Sequence, residues 1–288
     1  MKKNTKRLVI IIIVFICIIA GIRAIRENMT PAIGMLEIDG PILGSLDYLE
    51  VIKGFEENHR IKAVIVRLNS PGGSVGPSQE VYEALLGLKK IKPVVASMAS
   101  ISASGAYYIA CAADTIYALP GTLTGSIGVI LEFIDVSDGL GKLGVSAYSI
   151  TGGTLKDAGT PFRQMSQKER QYFEALAKDV HEQFMEAVSV NRGLSGEEIE
   201  EYADGRVYTG RQALAIGLID KLGGLNEAIE DARVRAGLEE KPRIIRPKKP
   251  GGILEDLRRL VQTYMPIQIR SNSGTLSGGY LRLEYSIK

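Results

Sequence analysis

The chain has 288 residues, 24% of them charged, with a formal net charge of +2 at pH 7. This length allows one large domain or two small ones with a sizeable core. The near-zero net charge lacks the basic signature of a nucleic-acid-binding protein. With two cysteines and two histidines, the chain has neither a disulfide framework nor a metal-type cluster. We therefore expect no metal, no other cofactor and no nucleic-acid partner.

The N-terminus is basic and then strongly apolar. Residues 1–7 carry four positive charges, and residues 8–22 form an uncharged run. A helix of this length spans about 22 Å, short of the ~30 Å hydrocarbon core, but flanking lysine and arginine side chains extend its reach. A cleaved signal peptide is the alternative, yet no clean small-residue cleavage site follows. We predict a single-pass membrane anchor at 8–22, with residues 1–7 cytoplasmic and the remainder extracytoplasmic.

After a predicted linker at 23–32, strand and helix patterns alternate, which indicates an α/β protein. The compact domain is predicted over 33–246, and a basic, glycine-rich tail over 247–288. Within that tail, residues 279–288 alternate apolar and polar side chains, which fits either an added strand or disorder. The predicted strands are 33–40, 62–68, 92–98, 115–119 and 145–150, and the main predicted helices are 45–58, 77–90, 102–114, 166–191 and 225–237.

Two adjacent glycines, Gly72 and Gly73, join a predicted strand to a predicted helix. Glycine permits backbone conformations closed to other residues and a close approach of another chain. Such a turn can bind a phosphate, bind an oxyanion, or simply be tight. The lysine of a P-loop is absent. The segment 139–144 fits G-x-G-x-x-G, but a predicted strand follows it where the dinucleotide fingerprint requires a helix. The sequence therefore disfavours nucleotide binding.

The histidines give little support to a Ser-His-Asp triad. His59 lies at a charged helix end and His181 beside an apolar helical stripe, both typical of surface positions. A serine–lysine pair remains, in which burial removes the charge of a lysine so that it acts as a base. Ser104, Lys156 and Ser126 are the candidates, with ordinary alternatives as a helix cap, a solvated charge and a turn hydroxyl. Spacing alone does not bring them together.

Five motifs follow one another in a family-specific order: RLNSPGGSV, MASISASGAYYIACAAD, TLTGSIGVI, LKDAGTPFRQMSQKER and ADGRVYTGRQALAIGLIDKLGGLNEAI. Over roughly residues 33–240 the chain resembles the signal peptide peptidase A (SppA) type of membrane-anchored serine protease, in its short bacterial form. The resemblance implies a fold like those of Clp protease and crotonase, built from repeated ββα units. Ala106 departs from the pattern, because many relatives have a glycine there.

The resemblance also implies roles for the candidates. Ser104 matches the nucleophile, Lys156 the general base, and Ser126 the hydroxyl that orients the lysine. The Gly-Gly turn matches one side of the oxyanion hole, with Gly73 favoured over Gly72. The other donor is the N–H of Gly105, and backbone amides must lie about 3 Å from the developing charge.

The activity that this resemblance implies is that of a serine endopeptidase. Its expected substrates are remnant signal peptides and other unfolded extracytoplasmic segments. The expected partners are these peptides, membrane lipid around the N-terminal helix, and further copies of the chain in a ring- or dome-shaped oligomer. Two alternatives remain: an inactive membrane scaffold of the same fold, and a crotonase-type enzyme acting on acyl-CoA, which would need a carboxylate base.

Overall fold

The computed structural model describes residues 30–247 and the backbone of residues 284–285. The predicted anchor at 8–22, its flank at 1–7 and linker residues 23–29 lie outside the described residues, as does nearly all of the predicted tail. Within the described part of the chain, no helix combines the length and apolar character needed to cross a membrane.

The strands are β1 Ala32–Asp39, β2 Ile61–Ser70, β3 Gly73–Ser74, β4 Val94–Ala103, β5 Thr115–Ala118, β6 Leu123–Gly125, β7 Val207–Thr209, β8 Lys221–Leu222, β9 Arg243–Ile245 and β10 Glu284–Tyr285. Eight of them form a sheet in the order β7-β6-β4-β2-β1-β9, with β5 and β8 branching from β4. Its neighbours run parallel except β6 and β7, which are antiparallel. β3 and β10 form a separate antiparallel pair.

The helices are α1 Leu46–Glu57, α2 Val75–Lys89, α3 Gly105–Ala110, α4 Ser137–Lys142, α5 Gln167–Arg192, α6 Gly196–Tyr202, α7 Gly210–Ala215 and α8 Leu225–Arg235. Successive strand residues face opposite sides of a sheet. Leu36 and Val66 accordingly join a core with α1, α2, α3 and α5, whereas Met35 and Ile65 pack against α8 on the other face. The predicted α/β class is confirmed as a mixed sheet with helices on both faces.

Strand β4 is longer than the predicted strand at 92–98. Its first half pairs with β5, and its last three residues pair with β6, with Ala103 opposite Gly125. The short helix predicted within 102–114, after its initial small residues, is confirmed as α3: Ser102 and Ala103 continue the ladder, and α3 begins at Gly105. Small side chains carry no apolar period that would reveal this boundary.

The predicted strand at 145–150 is also wrong. This segment has no regular structure, and Tyr148 and Ile150 are 87% and 94% exposed. Alternation of apolar residues suits a strand, but a strand also needs a neighbouring edge for its backbone hydrogen bonds. None of the described strands pairs with this segment. The glycine motif at 139–144 begins inside α4, and the strand expected after it is absent from the described residues.

The long predicted helix at 166–191 is confirmed as α5. Ser166 caps its N-terminus, and Glu169 completes a capping box with it. Phe184 and Val188 of the predicted apolar stripe are fully buried, so they fix the helix to the core beside α3. Ser195 and Glu198 form a second capping box at the start of α6.

Candidate active site

Ser104 lies where β4 ends and α3 begins. Its N–H donates to the carbonyl of Gly125 at 2.8 Å, and its carbonyl accepts from the N–H of Tyr108 at 2.9 Å. These bonds hold its backbone at φ +55°, a conformation that is costly for a residue with a Cβ. Its hydroxyl is fully buried and has no hydrogen-bond partner, so it does not cap α3. Buried hydroxyls are normally paired, and strain with a free hydroxyl is typical of a functional residue.

Ser126 follows β6 as Ser104 follows β4. Because Ala103 and Gly125 are paired, the two serines leave the same edge of the sheet side by side. Ser126 has φ +51°, and its N–H donates to the carbonyl of Arg206 at 2.8 Å. In the described part of the chain, these are the only two non-glycine residues with positive φ. The structure thus brings two of the predicted site residues together.

The Gly72–Gly73 turn is held by Ile42 on the segment after β1. The N–H of Ile42 donates to the carbonyl of Gly72, and that of Ser74 to the carbonyl of Ile42. A Cβ on Gly73 would overlap the Ile42 carbonyl oxygen, so only glycine fits. Since residues 72 and 74 bond to Ile42, the N–H of Gly73 points to the opposite side.

The backbone N–H groups of Gly72 and Gly73 lie in different surroundings. The N–H of Gly72 donates to the hydroxyl of Ser70 at 3.1 Å inside the turn. The nitrogen of Gly73 lies 3.4 Å from the place where a Cβ on Gly105 would stand. That same Cβ would overlap Ser78 Oγ. Gly73 and Gly105 are therefore adjacent beside Ser104, on a wall too tight for a side chain.

The methyl group of Ala106 does not disturb this wall. Ala106 is fully buried and packs into the core on the sheet side of α3. The departure from the family pattern noted at this position is thus accommodated away from the Gly105 amide.

The edge at β3 carries an added strand. Glu284 and Tyr285 pair antiparallel with Ser74 and Gly73. Of the two interpretations of residues 279–288, an added strand is therefore realised at two positions. The edge beside Gly73 accepts an extended peptide through main-chain pairing.

Lys156 is not brought to the two serines. It lies on a turn at residues 154–159, is exposed, and its ammonium group forms no hydrogen bond or ion pair with another described residue. The free hydroxyl of Ser104 has no lysine within hydrogen-bond distance. The structure thus brings Ser104 and Ser126 together, but Lys156 forms no hydrogen bond with either of them.

Other potential nucleophiles or bases do not reach Ser104. His59 is exposed as predicted. His181 was predicted at the surface, but it is half-buried on α5, and its Nε2 is inaccessible and without a hydrogen-bond partner. Burial raises the pKa of the Cys111 thiol to about 12, so it stays protonated and unreactive.

Several supporting residues were not singled out from the sequence. Ile42 and Ser78 shape the glycine wall, and they carry no sequence signal because their role depends on a distant chain segment. Arg163 and Glu169 anchor the turn that carries Lys156. For Glu169 a sequence signal does exist, because the pattern Ser-x-x-Glu at 166–169 is a recognisable capping box.

A free buried serine hydroxyl beside two adjacent glycines is typical of the class of serine hydrolases. Residues 87–239 match the model of peptidase family S49. The chain is 41% identical over 216 residues to the Synechocystis protein named "Putative protease slr0021". It is 34% identical over 227 residues to "Serine protease SPPA, chloroplastic" of Arabidopsis thaliana, and 31% identical over 215 residues to "Protease 4" of Haemophilus influenzae.

These matches cover 74%, 78% and 71% of this chain. They cover 78% of the Synechocystis protein, but only 34% of the Arabidopsis and 35% of the Haemophilus protein. The chain belongs to peptidase family S49, and it is similar to serine proteases of the SppA type. The predicted resemblance is confirmed, and peptides are the substrates that membership in a peptidase family implies.

Proposed function

We propose that this chain is a membrane-anchored serine endopeptidase with Ser104 as nucleophile and Lys156 as general base. The observation that carries the proposal is the buried hydroxyl of Ser104, which has no partner and lies at a positive-φ position beside Gly73 and Gly105. The mixed α/β sheet beneath it fits the Clp protease and crotonase type of fold.

The reaction uses these groups in order. Neutral Lys156 accepts the proton of Ser104 as Ser104 Oγ attacks the carbonyl carbon of a peptide bond. The carbonyl oxygen becomes an oxyanion, which accepts hydrogen bonds from the N–H groups of Gly73 and Gly105. Lys156 then donates its proton to the leaving amine. Water, deprotonated by Lys156, hydrolyses the acyl-enzyme and restores Ser104.

Gly73 is preferred to Gly72 as donor, because the N–H of Gly72 donates to Ser70 inside the turn, whereas Gly73 lies on the edge where β10 pairs and where a substrate would bind. The position of Ser126 at the sheet edge beside Ser104 supports its proposed role in orienting the lysine. Lys156 must approach both hydroxyls for the reaction. We assign this approach to the assembled homo-oligomer, in which the exposed turn of one chain reaches a Ser104, either its own or a neighbour's.

Exposed apolar residues in the segment that precedes Lys156 support assembly. Ile134, Leu143, Tyr148 and Ile150 are between 74% and 94% exposed. Several strongly exposed apolar side chains in one segment are consistent with an interaction site. The alternating pattern at 145–150 has no partner edge among the described strands, and a second copy of the chain would supply one.

The proposed substrates are remnant signal peptides and other unfolded extracytoplasmic segments. The pairing of β10 with β3 supports this class, because this edge takes up a peptide in extended form. The proposed location follows from the basic segment 1–7 and the apolar run 8–22: a single-pass protein of a bacterial cell membrane, bound to lipid by this run, with its protease domain extracytoplasmic.

The test is cleavage of a fluorescent unfolded polypeptide by the full chain in detergent micelles. Ser104→Ala and Lys156→Ala should each lower kcat/KM about 10³-fold or more. Ser102→Ala is the matched control, because Ser102 is equally buried and its hydroxyl also lacks a partner. It should stay within about threefold of wild type. Thermal unfolding checks that every variant is folded.

Other outcomes identify the alternatives. Near-normal cleavage by Lys156→Ala would overturn the assignment of the base. A wild-type chain that assembles but cleaves nothing would be the inactive scaffold. Hydrolysis of acyl-CoA without peptide cleavage would identify the crotonase-type enzyme.

A further inference from the structure

The turn that carries Lys156 is held mainly by its neighbours in sequence. Within it, the N–H groups of Lys156, Ala158 and Thr160 donate to the carbonyls three residues earlier, at 3.1–3.2 Å. The ammonium group of Lys156 forms no hydrogen bond or ion pair with the described residues. The backbone of the turn therefore determines where the lysine stands, and any contact that fixes the turn also fixes the proposed base.

Arg163 ties this turn to the start of α5. On one side its Nε and Nη2 lie 3.3 Å and 3.1 Å from Oδ2 of Asp157, the residue next to Lys156. On the other side its Nη1 and Nη2 donate to the two carboxylate oxygens of Glu169 at 2.9 Å and 2.5 Å. The planar guanidinium suits such a fork, which a lysine cannot reproduce.

Glu169 is a firm anchor for Arg163. It is 3% exposed, and its Oε2 accepts from both the N–H and the hydroxyl of Ser166 at 2.8 Å. Hydrogen bonds from Arg163 lower the pKa of Glu169 to about 2, so the carboxylate is ionised at neutral pH. The helix that begins here reaches into the core through Phe184.

A second contact fixes the other end of the turn without Arg163. Gly159 has φ +75°, and a Cβ there would lie 2.6 Å from the ring of Phe133 and 3.2 Å from that of Phe173. The two rings pack with centroids 4.4 Å apart. The N–H of Val136 also donates to the carbonyl of Pro161 at 2.8 Å. The segment should therefore stay folded when Arg163 is replaced.

We propose that Arg163 is a positioning residue for the Ser104–Lys156 reaction. It holds the turn that carries Lys156 against the start of α5. It also binds the carboxylate of Asp157, so that this carboxylate does not pair with Lys156. This inference rests on the proposed function, since it gives Arg163 a role only if Lys156 is the base.

The second part of this role is electrostatic. A carboxylate close to a lysine favours the charged form of the lysine, whereas a general base must be neutral. The described charged groups bonded to one another here are Asp157, Arg163 and Glu169, and none is paired with Lys156. Without Arg163, the side chain of Asp157 is released next to the base.

The test measures peptide cleavage by the full chain from pH 6 to pH 10. Arg163→Gln should lower kcat about 10- to 100-fold with KM nearly unchanged, because a misplaced base affects the chemical step. Its pH–activity profile should also move to higher pH. In the double variant that combines Arg163→Gln with Asp157→Asn, the pH–activity profile should return towards that of wild type, but kcat should not be fully restored. Arg163→Lys should recover only a small part of the activity.

Arg192→Gln is the matched control at the other end of α5. Arg192 also forms a fork with an aspartate, Asp220, at 3.0 Å and 2.8 Å. Its loss should lower thermal stability while kcat of the folded enzyme and the pH profile stay unchanged. A purely structural role for Arg163 would give this same result, and would overturn the proposal.

The outcomes separate this proposal from the one on which it rests. If Lys156→Ala stays active, the assignment of the base fails regardless of Arg163. If Lys156→Ala is inactive while Arg163→Gln keeps the wild-type kcat and pH profile, only the positioning role fails.

Discussion

The nucleophile and the base of the proposed dyad come from regions of opposite character. Ser104 is fully buried, and its position follows from the register of β4 with β6 and from the turn at Gly73. Lys156 lies on an exposed turn that contacts α5 through side chains and packed rings. Main-chain register fixes the proposed nucleophile within the chain, whereas the proposed base is held by contacts that assembly of the proposed oligomer would adjust.

Among the further substitutions, the largest effect is expected from one in the glycine wall beside the buried Ser104. In Gly105→Ala the new Cβ would overlap Ser78 Oγ and crowd the Gly73 amide. We expect a loss of about 10²-fold in kcat from the disturbed oxyanion hole, with about 1–3 kcal/mol of lost stability from overpacking. Peptide cleavage and urea unfolding measure the two effects.

Gly54→Ala is the control for this change. Gly54 lies in α1 with nothing near its missing Cβ, so alanine should add about 0.5–1 kcal/mol of stability and leave activity unchanged. Full activity in Gly105→Ala would show that this wall does not bind the oxyanion.

The next largest effect is expected from substitutions in the exposed segment that precedes Lys156. Replacing Tyr148 and Ile150 together by aspartate places charge on the most exposed apolar positions of the segment. We expect a smaller oligomer by light scattering and about tenfold lower activity, because the Lys156 turn loses its partner surface. Val190→Asp, at an apolar position 75% exposed on α5, should change neither. An unchanged mass for the double variant would exclude this surface from the interface.

The smallest expected effect concerns stability alone. The pKa of Glu169 is lowered from 4.5 to about 2 by Arg163. A carboxyl whose pKa is lower in the folded state adds stability above its ordinary pKa, and this stability is lost as the pH falls towards the folded value. Wild type should therefore exceed Glu169→Gln in stability by a constant margin above about pH 5, and the margin should shrink between about pH 4.5 and 2.

Urea unfolding across this pH range measures the margin. Glu198→Gln removes the same capping-box acid from α6, but Glu198 is exposed and lacks an arginine partner, so its margin should be smaller. A Glu169 margin that does not vary with pH would contradict the ion-pair explanation.

The same contrast explains what the sequence could predict. Ser104 and the glycine turn lie where a strand is followed by a helix, and Ser126 directly follows β6. Their roles are predicted from the motifs that resemble those of SppA proteases. The position of Lys156 relative to Ser104 could not be predicted, because no local pattern fixes an exposed turn 52 residues away. The segment 145–150 was misassigned for a related reason: its apolar alternation suits a strand whose partner edge is absent from the described chain.

The most direct test of the account is labelling of the full chain by a fluorophosphonate probe, with the modified residue located by mass spectrometry. We expect modification at Ser104, much slower labelling in Lys156→Ala, normal labelling in Ser102→Ala, and none in Ser104→Ala. Labelling of a different serine in the wild-type protein, or labelling that persists in Ser104→Ala, would contradict the assignment of the nucleophile and with it the proposed reaction.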